Sequence, residues 1–448
     1  MLAAAAAAWA QPTIEGSWQA SISAGNATLR LLLHISKAPD GGLSATFDSP
    51  DQGATGLSVS SLTQAGDSVK FTLAVASASF EGVRSANGQE ISGQWKQGPG
   101  TAPMVFKRLD KAPAPPVRPQ EPKKPYPYDE QEVVFENRKA GVKLAGALTL
   151  PRDEGPFPAA VLITGSGPQD RDEAIMGHRP FLVLADHLTR QGIAVLRYDD
   201  RGTAKSTGSF STSTTADFAD DAEAGVQFLK SHARIDAKRI GLIGHSEGGI
   251  IAPMVAARSA DVAFIVLMAG TAVTGEQILY QQAALITKAG GAGDAEIAKN
   301  RAWQERTFAI LKKESDPKLI EAAMRKAASE GLDPAGLEAR VRSATSAWFR
   351  YFVLYDPAPA LAKVKCPVLA INGERDLQVP PSQNLPVIEK ALKAGGNRDF
   401  TVKQLPKLNH LFQTCQSGSP AEYAKIEETI APLALETMSA WIGKRVKP

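Results

Sequence analysis

The chain has 448 residues, 43% of them hydrophobic and 22% charged, and a formal net charge of +3. This small charge, without a basic stripe that carries aromatic residues, argues against a nucleic-acid partner. No apolar run approaches the roughly 20 residues that a membrane-spanning helix needs.

The chain begins with an alanine-rich apolar run that closes in Ala8-Trp9-Ala10. Such a run is typical of the end of a secretory signal, here without its basic beginning. It predicts a signal remnant over residues 1–10 and an exported protein, periplasmic or secreted. An alanine-rich cloning remnant is the alternative.

Residues 11–109 carry short alternating segments separated by Gly, Ser and Asn turns, which predicts a small antiparallel β barrel or sandwich. Trp18 and Trp95 are expected to lie in its core. Ligand binding and dimerisation both stay open as the role of this domain. The clearest strand-like segments are 16–22, 27–35, 43–47, 69–73, 91–95 and 104–107.

Proline is dense between this domain and the rest of the chain, and the bounds of the segment are 110–128. Proline at this density favours an extended, semi-rigid spacer over a packed element. The segment is therefore the predicted linker.

The remaining residues, 129–448, contain eight apolar or alternating runs typical of strands. The first two are expected to pair as a hairpin. From the third onward the runs alternate with helix-like stretches, which predicts an α/β fold with a mostly parallel eight-stranded sheet flanked by helices. The runs are 132–136, 142–150, 159–164, 193–197, 239–243, 263–268, 367–371 and 400–405, and the predicted helices include 178–191, 215–232, 246–258 and 421–443.

Between the sixth and seventh runs, residues 271–357 combine many Ala, Lys, Glu, Gln and Arg residues with spaced apolar ones. This pattern predicts several amphipathic helices that form a cap above the carboxyl edge of the sheet. Trp348 and Phe352 are candidates to contact substrate, with ordinary core packing as the alternative.

The segment Gly244-His245-Ser246-Glu247-Gly248-Gly249 follows an apolar strand and precedes a predicted helix. A serine on a tight turn between a strand and a helix is typical of a nucleophile elbow. Glycines two residues before and two after the serine leave room where a Cβ would clash. Ser246 is therefore the predicted nucleophile.

A serine hydroxyl needs a base, and the base needs an acid that orients it. After an elbow of this kind the chain order is serine, acid, histidine. His410 is the only histidine that follows Ser246, so it is the predicted base. Asp376 follows the seventh predicted strand and is the predicted acid. Glu374 is its nearest rival, and Asp399 precedes its strand and so lies at the wrong edge.

Ester hydrolysis also needs N–H donors for the developing oxyanion. The N–H of Glu247, directly after the nucleophile, is one candidate. The N–H of Ser166 is the other, in a loop where Gly165 lets the backbone approach substrate. An ordinary turn is the alternative for this loop.

Other polar features have structural interpretations at this point. Glu247 is expected to favour the first turn of its helix electrostatically, and His245 is expected to pack. Residues 170–172 are expected to form a solvated loop, with substrate binding as the alternative. Residues 199–201 are expected to form an internal charge-paired turn.

Five motifs occur in one order, at 165–173, 198–202, 244–249, 373–376 and 409–410. With them, the chain from about residue 130 to 446 resembles the α/β-hydrolase superfamily. It is most similar to bacterial serine esterases related to dienelactone hydrolases and serine-aminopeptidase-like hydrolases, with an extra N-terminal β domain. The resemblance implies a carboxylesterase that acts on small-molecule esters of short to medium acyl chain through an acyl-enzyme. An aminopeptidase-like peptidase and an acyltransferase stay open.

The proposed chemistry requires no metal and no organic cofactor. The two cysteines, Cys366 and Cys415, are not expected to pair. Cys366 begins the strand that leads to Asp376, and Cys415 follows His410 at the other end. A strand of five or six residues spans about 17–20 Å, whereas a disulfide needs Cα atoms within about 7 Å.

Overall fold

A computed structural model describes residues 13–446 except 25–26, 39–40, 51–53, 99, 112–116 and 335. The chain divides into two units, one formed by the residues up to Val117 with 175–177 and the other by the remainder. The predicted signal remnant lies outside the described residues. In the described part, no helix is long and apolar enough to cross a bilayer.

The first unit is one curled antiparallel sheet in the order β4-β3-β2-β1-β9-β8-β7-β6-β5. Buried and exposed side chains alternate along its strands, as the pleat of a β-strand requires. In β6, for example, Val69 and Phe71 are buried whereas Lys70 is exposed. Trp18 and Trp95 are both buried in this core, as predicted. The described strands are β1 (Gly16–Ala24), β2 (Ala27–Lys37), β3 (Leu43–Ser49), β4 (Ala54–Ser58), β5 (Ser61–Ala65), β6 (Ser68–Leu73), β7 (Ala78–Arg84), β8 (Glu90–Gln97) and β9 (Gly100–Leu109).

The second unit contains the predicted sheet of eight strands, in the order β10-β11-β13-β12-β14-β15-β16-β17. The pairs β10–β11 and β11–β13 are antiparallel, and all other neighbours are parallel. Each of the eight predicted runs is a strand. Their bounds are β10 (Asp129–Asn137), β11 (Val142–Leu150), β12 (Phe157–Ile163), β13 (Ala194–Tyr198), β14 (Ile235–His245), β15 (Phe264–Met268), β16 (Val368–Gly373) and β17 (Phe400–Leu405).

Helices cover both faces of this sheet because the inner strands are apolar on both sides. Val161 and Ile163 of β12 belong to one buried cluster, and Ala160 and Leu162 belong to the other. The helices outside the cap are α1 (Pro180–Arg190), α2 (Thr215–Lys230), α3 (Gly248–Ala256), α10 (Pro381–Ala394), α11 (Pro420–Tyr423) and α12 (Pro432–Val446).

The single helix predicted over 421–443 is wrong, since α11 and α12 are separate. Pro432 begins α12, and a proline disfavours helical backbone in the residue before it. The segment between the two helices makes other bonds: the Arg118 guanidinium donates to the carbonyl oxygens of Ala424 and Ile426 at 3.0 Å each. The second half of the predicted linker therefore packs on the second unit.

The cap is helical, as predicted, and connects β15 to β16. Its helices surround a hydrophobic cluster of their own, which includes Trp303, Phe308 and Met324. Trp303 and Phe308 are thus core residues of the cap. The cap helices are α4 (Gly275–Ala289), α5 (Asp294–Lys313), α6 (Pro317–Ser329), α7 (Leu337–Ala344), α8 (Ala347–Leu354) and α9 (Ala358–Lys363).

Candidate active site

Ser246 lies on the tight turn between β14 and α3. Its φ of +53° is in the left-handed region, which non-glycine residues rarely adopt unless their surroundings require it. A Cβ on Gly244 would lie 2.0 Å from the carbonyl oxygen of Gly248, and a Cβ on Gly248 would lie 2.2 Å from that of Ile163. Both glycines are therefore required for the turn, as the sequence predicted.

His410 and Asp376 form a buried pair on the loops after β17 and β16. His410 Nδ1 is 2.8 Å from Asp376 Oδ2. The other carboxylate oxygen, Oδ1, accepts the backbone N–H groups of Gln378 and Val379 at 2.8 Å each. Because a carboxylate can only accept, Nδ1 of His410 carries the proton and Nε2 is left for another partner.

The two rival carboxylates lie elsewhere. Glu374 is exposed, and its carboxylate accepts the backbone N–H of Lys407 at 2.8 Å. Asp399 is exposed at the amino end of β17 and pairs with Arg445. Among these three carboxylates, Asp376 alone is bonded to His410.

The three predicted catalytic residues all follow the carboxyl ends of parallel strands in one sheet. The rings of His245 and His410 have centroids 4.9 Å apart, so His410 lies beside the elbow. A Cβ on Gly373 would lie 2.3 Å from the carbonyl oxygen of Leu408. The loops that carry Asp376 and His410 are therefore in close contact.

The loop over residues 164–169, here called the oxyanion loop, follows β12 and approaches the elbow. Ile163 is paired with Gly244 in the sheet. A Cβ on Gly165 would lie 3.3 Å from the Cβ of Ser246. This approach is tight, so a glycine at this position lets the loop lie against the serine.

Two N–H groups beside Ser246 are unused in the described part of the protein. Those of Ser166 and Glu247, the two predicted oxyanion donors, have no acceptor there. Gly165 differs, because its N–H donates to Glu173 Oε1 at 2.8 Å. Its contribution at the site is therefore close backbone approach and not an N–H for substrate.

Asp200 holds the oxyanion loop from a half-buried position. Its two oxygens accept the Thr164 hydroxyl and the Gln169 N–H, at 2.9 Å each. Burial raises the pKa of Asp200 to about 8, and the neighbouring carboxylates of Glu247 and Glu173 act in the same direction. Asp199 and Arg201 on either side are ion-paired as predicted, whereas Asp200 has no cationic partner in the described residues.

Glu247 is buried and connects the elbow to two other elements. It accepts the Thr215 hydroxyl at 2.7 Å and the Trp348 indole N–H at 2.8 and 3.0 Å. Burial raises the pKa of this carboxyl group. Its role as a hydrogen-bonding centre goes beyond the helix electrostatics that the sequence suggested.

Trp348 and Phe352 lie on α8, the cap helix that reaches Glu247. Their rings are stacked, with centroids 5.4 Å apart and an interplanar angle of 20°. Trp348 is half-buried, whereas Phe352 is only 6% exposed. The indole N–H of Trp348 is used by Glu247, and its ring packs against Phe352 and the core of the sheet, so contact of these two residues with substrate stays a prediction.

The solvated loop expected over residues 170–172 is wrong. Asp172 is buried and bonds to both Arg197 and Arg179. The Arg171 guanidinium is paired with Asp199 at 2.8 Å. These ion pairs inside the protein fix the segment after the oxyanion loop, because buried charges need partners.

Sequence reasoning missed Glu173 and Asp200 as parts of the site. His245 is buried and packed, as expected, and it also makes hydrogen bonds that the sequence did not indicate. The His245 ring makes hydrogen bonds to Glu173 and to the carbonyl oxygen of His410. All three residues lie inside motifs that the sequence displays. The missing signal is burial, because these carboxylates look like surface residues until the fold covers them.

The two cysteines are both free, as expected. Cys415 donates its thiol to the carbonyl oxygen of Lys407 at 3.4 Å. Burial raises the pKa of the Cys366 thiol to about 12, so neither a disulfide nor a reactive thiolate contributes to the site.

Comparison with known proteins places this site in a family. A model of the serine aminopeptidase (S33) family matches residues 179–414, more than half of the chain. The chain belongs to this family. The match and the strand order confirm the predicted α/β-hydrolase fold, and the S33 domain here is preceded by the nine-stranded β unit.

Several named esterases are similar to this S33 protein. EstD of Thermotoga maritima is 29% identical over 314 residues, which are 69% of this chain and 68% of EstD. An esterase of Pyrococcus furiosus is 16% identical, with a TM-score of 0.44 over 75% of this chain and 100% of that chain. Est1E of Butyrivibrio proteoclasticus, solved with ferulic acid bound, is 17% identical, with a TM-score of 0.42 over 70% of this chain and 100% of that chain.

Proposed function

We propose that this protein is a carboxylesterase that cleaves esters of short to medium acyl chain through an acyl-enzyme on Ser246. The observation that carries the proposal is the buried His410–Asp376 pair beside a serine in the left-handed elbow conformation. The likeness to EstD supports an ester as the substrate class.

His410 is the base of the proposed reaction. Its Nε2 takes the proton of the Ser246 hydroxyl as the oxygen attacks the ester carbonyl carbon, and Asp376 stabilises the imidazolium. The imidazolium then gives that proton to the departing alcohol as the C–O bond breaks. Water repeats the sequence on the acyl-enzyme and releases the carboxylic acid.

The N–H groups of Ser166 and Glu247 are the proposed oxyanion donors. Both are unused in the described protein and lie on the two segments that meet at Ser246. The raised pKa values of Glu247 and Asp200 limit negative charge beside this hole.

Aminopeptidase activity is the second candidate, because the family description names it. A free amino terminus needs an accessible anionic acceptor beside the nucleophile. Glu247 is the acidic residue adjacent in sequence, and its buried oxygens are occupied by Thr215 and Trp348. This occupancy favours the ester over the peptide.

The Ser246→Ala variant tests the proposal. Its turnover of p-nitrophenyl acetate should fall by about 10⁴-fold or more, with thermal unfolding unchanged. A fluorophosphonate probe should label the wild-type protein at the peptide that contains Ser246 and leave the variant unlabelled. Retained turnover, or faster cleavage of amino-acid anilides than of esters by the wild-type protein, would contradict the assignment.

Export of the protein, periplasmic or secreted, stays a proposal that rests on the apolar start of the sequence. The role of the β unit also stays open between ligand binding and dimerisation. Fractionation of the native host would test export, and light scattering of the purified chain would test dimerisation.

A further inference from the structure

A second buried histidine–carboxylate pair lies directly behind the proposed catalytic residues. His245 Nδ1 is 2.9 Å from Glu173 Oε1, and the two side chains are 7% and 3% exposed. His245 Nε2 is 3.0 Å from the carbonyl oxygen of His410. The proposed mechanism gives this pair no chemical step.

The partners of His245 fix its protonation. A backbone carbonyl can only accept a hydrogen bond, and so can a carboxylate. Beside an ionised Glu173, a neutral ring has one N–H and would face the other oxygen with a lone pair, so the geometry favours a proton on each nitrogen. Burial opposes this charge, but the Glu173 carboxylate and its hydrogen bond outweigh it and raise the pKa of His245.

The same carboxylate oxygen also holds the oxyanion loop. Glu173 Oε1 accepts the Gly165 N–H at 2.8 Å, one residue before the proposed donor Ser166. Glu173 has a φ of +52°, a left-handed conformation that a glutamate rarely adopts. Its placement is therefore imposed by the structure around it, which includes the buried ion pairs of Asp172 next to it in the chain.

The pair thus joins three parts of the site by hydrogen bonds. Glu173 contacts the oxyanion loop at Gly165, and His245 is the residue before the nucleophile. The His245 ring reaches the backbone of His410, the proposed base. Movement of any one part relative to the others has to stretch or break a bond to this pair.

We propose that Glu173 and His245 form a charged positioning pair that holds the oxyanion loop, the elbow and the backbone of His410 in the geometry needed for turnover. The inference rests on the proposed function and adds two positioning residues to it. Neither residue is assigned contact with substrate. The pair acts by restricting the backbone on both sides of Ser246, and a misplacement of about 1 Å in such a site costs about 100-fold in rate.

The groups that face His245 determine how the pair responds to pH. These are Glu173, the His410 carbonyl oxygen, the His410 ring with its centroid 4.9 Å away and, at longer range, the Asp376 carboxylate. Because the pKa of His245 is raised in the folded protein, the imidazolium persists to higher pH than in the unfolded chain and is lost as pH rises through the folded pKa. Turnover should therefore have an alkaline limit set by His245.

The Glu173→Gln variant tests the charge of the pair. The glutamine oxygen can still accept the Gly165 N–H, but the anion that favours the His245 imidazolium is gone. We expect kcat to fall about 10- to 100-fold with KM changed by less than about threefold. The alkaline limb of kcat should also move to lower pH. A kcat and a pH profile equal to those of the wild-type protein would overturn the proposal.

Two variants of His245 separate its hydrogen bonds. His245→Asn places its amide near the former Nδ1 and keeps a donor toward Glu173, whereas His245→Gln reaches toward the His410 carbonyl oxygen. If both ends are needed, each variant should lose about tenfold or more in kcat. If the ring only packs, the unfolding temperatures of both variants should fall while kcat, divided by the concentration of sites that the fluorophosphonate probe labels, stays at the wild-type value. In that case the proposal fails.

A measurement on the wild-type protein covers the case in which the variants do not fold. The ¹⁵N signals of the His245 ring, assigned by selective labelling, should be those of an imidazolium at pH 7.5. A neutral tautomer would overturn the proposal. Failure of the proposed function is distinguishable, because only then does Ser246→Ala keep its esterase activity.

Discussion

The Asp376→Asn substitution should inactivate the enzyme by reversing one hydrogen bond. Oδ1 of Asp376 accepts two backbone N–H groups, from Gln378 and Val379, so the amide oxygen of the asparagine has to occupy that place. The amide NH₂ then faces His410 Nδ1, 2.8 Å away in the native pair. Because donor cannot bond to donor, the imidazole proton moves to Nε2, and His410 can no longer accept the Ser246 proton.

The magnitude follows from the loss of the base. A wrong tautomer of the catalytic histidine costs about 10⁴-fold in kcat in a serine protease triad, which is about 5.4 kcal/mol of transition-state stabilisation. We expect a loss of this size in kcat/KM for p-nitrophenyl acetate, with little change in KM. The alternative amide orientation would place NH₂ against two N–H groups, so rotation of the side chain cannot restore activity.

Glu374→Gln is the matched control, because it neutralises the rival carboxylate on the same loop. Glu374 is exposed, and among the described residues its carboxylate accepts only the Lys407 N–H, so kcat/KM should stay within about twofold of the wild-type value. Circular dichroism and thermal unfolding of both variants establish that they are folded. An Asp376→Asn enzyme within tenfold of the wild type, or an equal loss in both variants, would refute the reasoning.

Two further predictions concern stability. Gly244→Ala would force a Cβ to 2.0 Å from the Gly248 carbonyl oxygen, so the free energy of unfolding in urea should fall by about 3–5 kcal/mol. Gly293→Ala is the control, because its Cβ meets nothing within 4 Å, and its free energy of unfolding should stay within about 1 kcal/mol of the wild-type value. The folded state keeps the Asp200 proton up to about pH 8, whereas the unfolded chain releases it near pH 4. The protonated group therefore stabilises the folded state at low pH, and the free energy of unfolding falls as pH rises from about 4 to about 8. Asp200→Asn lacks this dependence, and its stability relative to the wild-type protein should therefore increase from pH 5 to pH 9; a constant difference would contradict the buried, protonated state.

Much of the fold could be predicted because its determinants are local in the sequence. Each strand of the hydrolase sheet contains a short apolar or alternating run, and each run was recognisable. The elbow was equally local, since Gly244 and Gly248 lie within two residues of Ser246. The order of serine, acid and histidine then left one histidine, His410, and the structure bonds it to Asp376.

The rest of the site depends on contacts between distant residues. Glu173 and His245 are 72 residues apart, and Trp348 and Glu247 are 101 apart. Nothing in the local pattern distinguishes these carboxylates from exposed ones, because burial is decided by the whole fold. Strands β4, β5 and β7 lie outside the predicted segments. The residues of β4 and β5 are mostly small and polar, and β5 is mostly exposed, whereas β7 alternates between buried and less buried residues and was recognisable.

The cap has a hydrophobic cluster of its own, distinct from the clusters on the two faces of the sheet. Since Trp303, Phe308 and Met324 are buried against other cap residues, changes among them alter the shape of the cap without disturbing the interior of the sheet. The bond from Trp348 to Glu247 is one point at which such changes reach the residue after the nucleophile. A change in the cap that removed the Trp348 indole would take a hydrogen-bond donor from the buried Glu247 carboxyl group, so this contact limits how far the cap can vary.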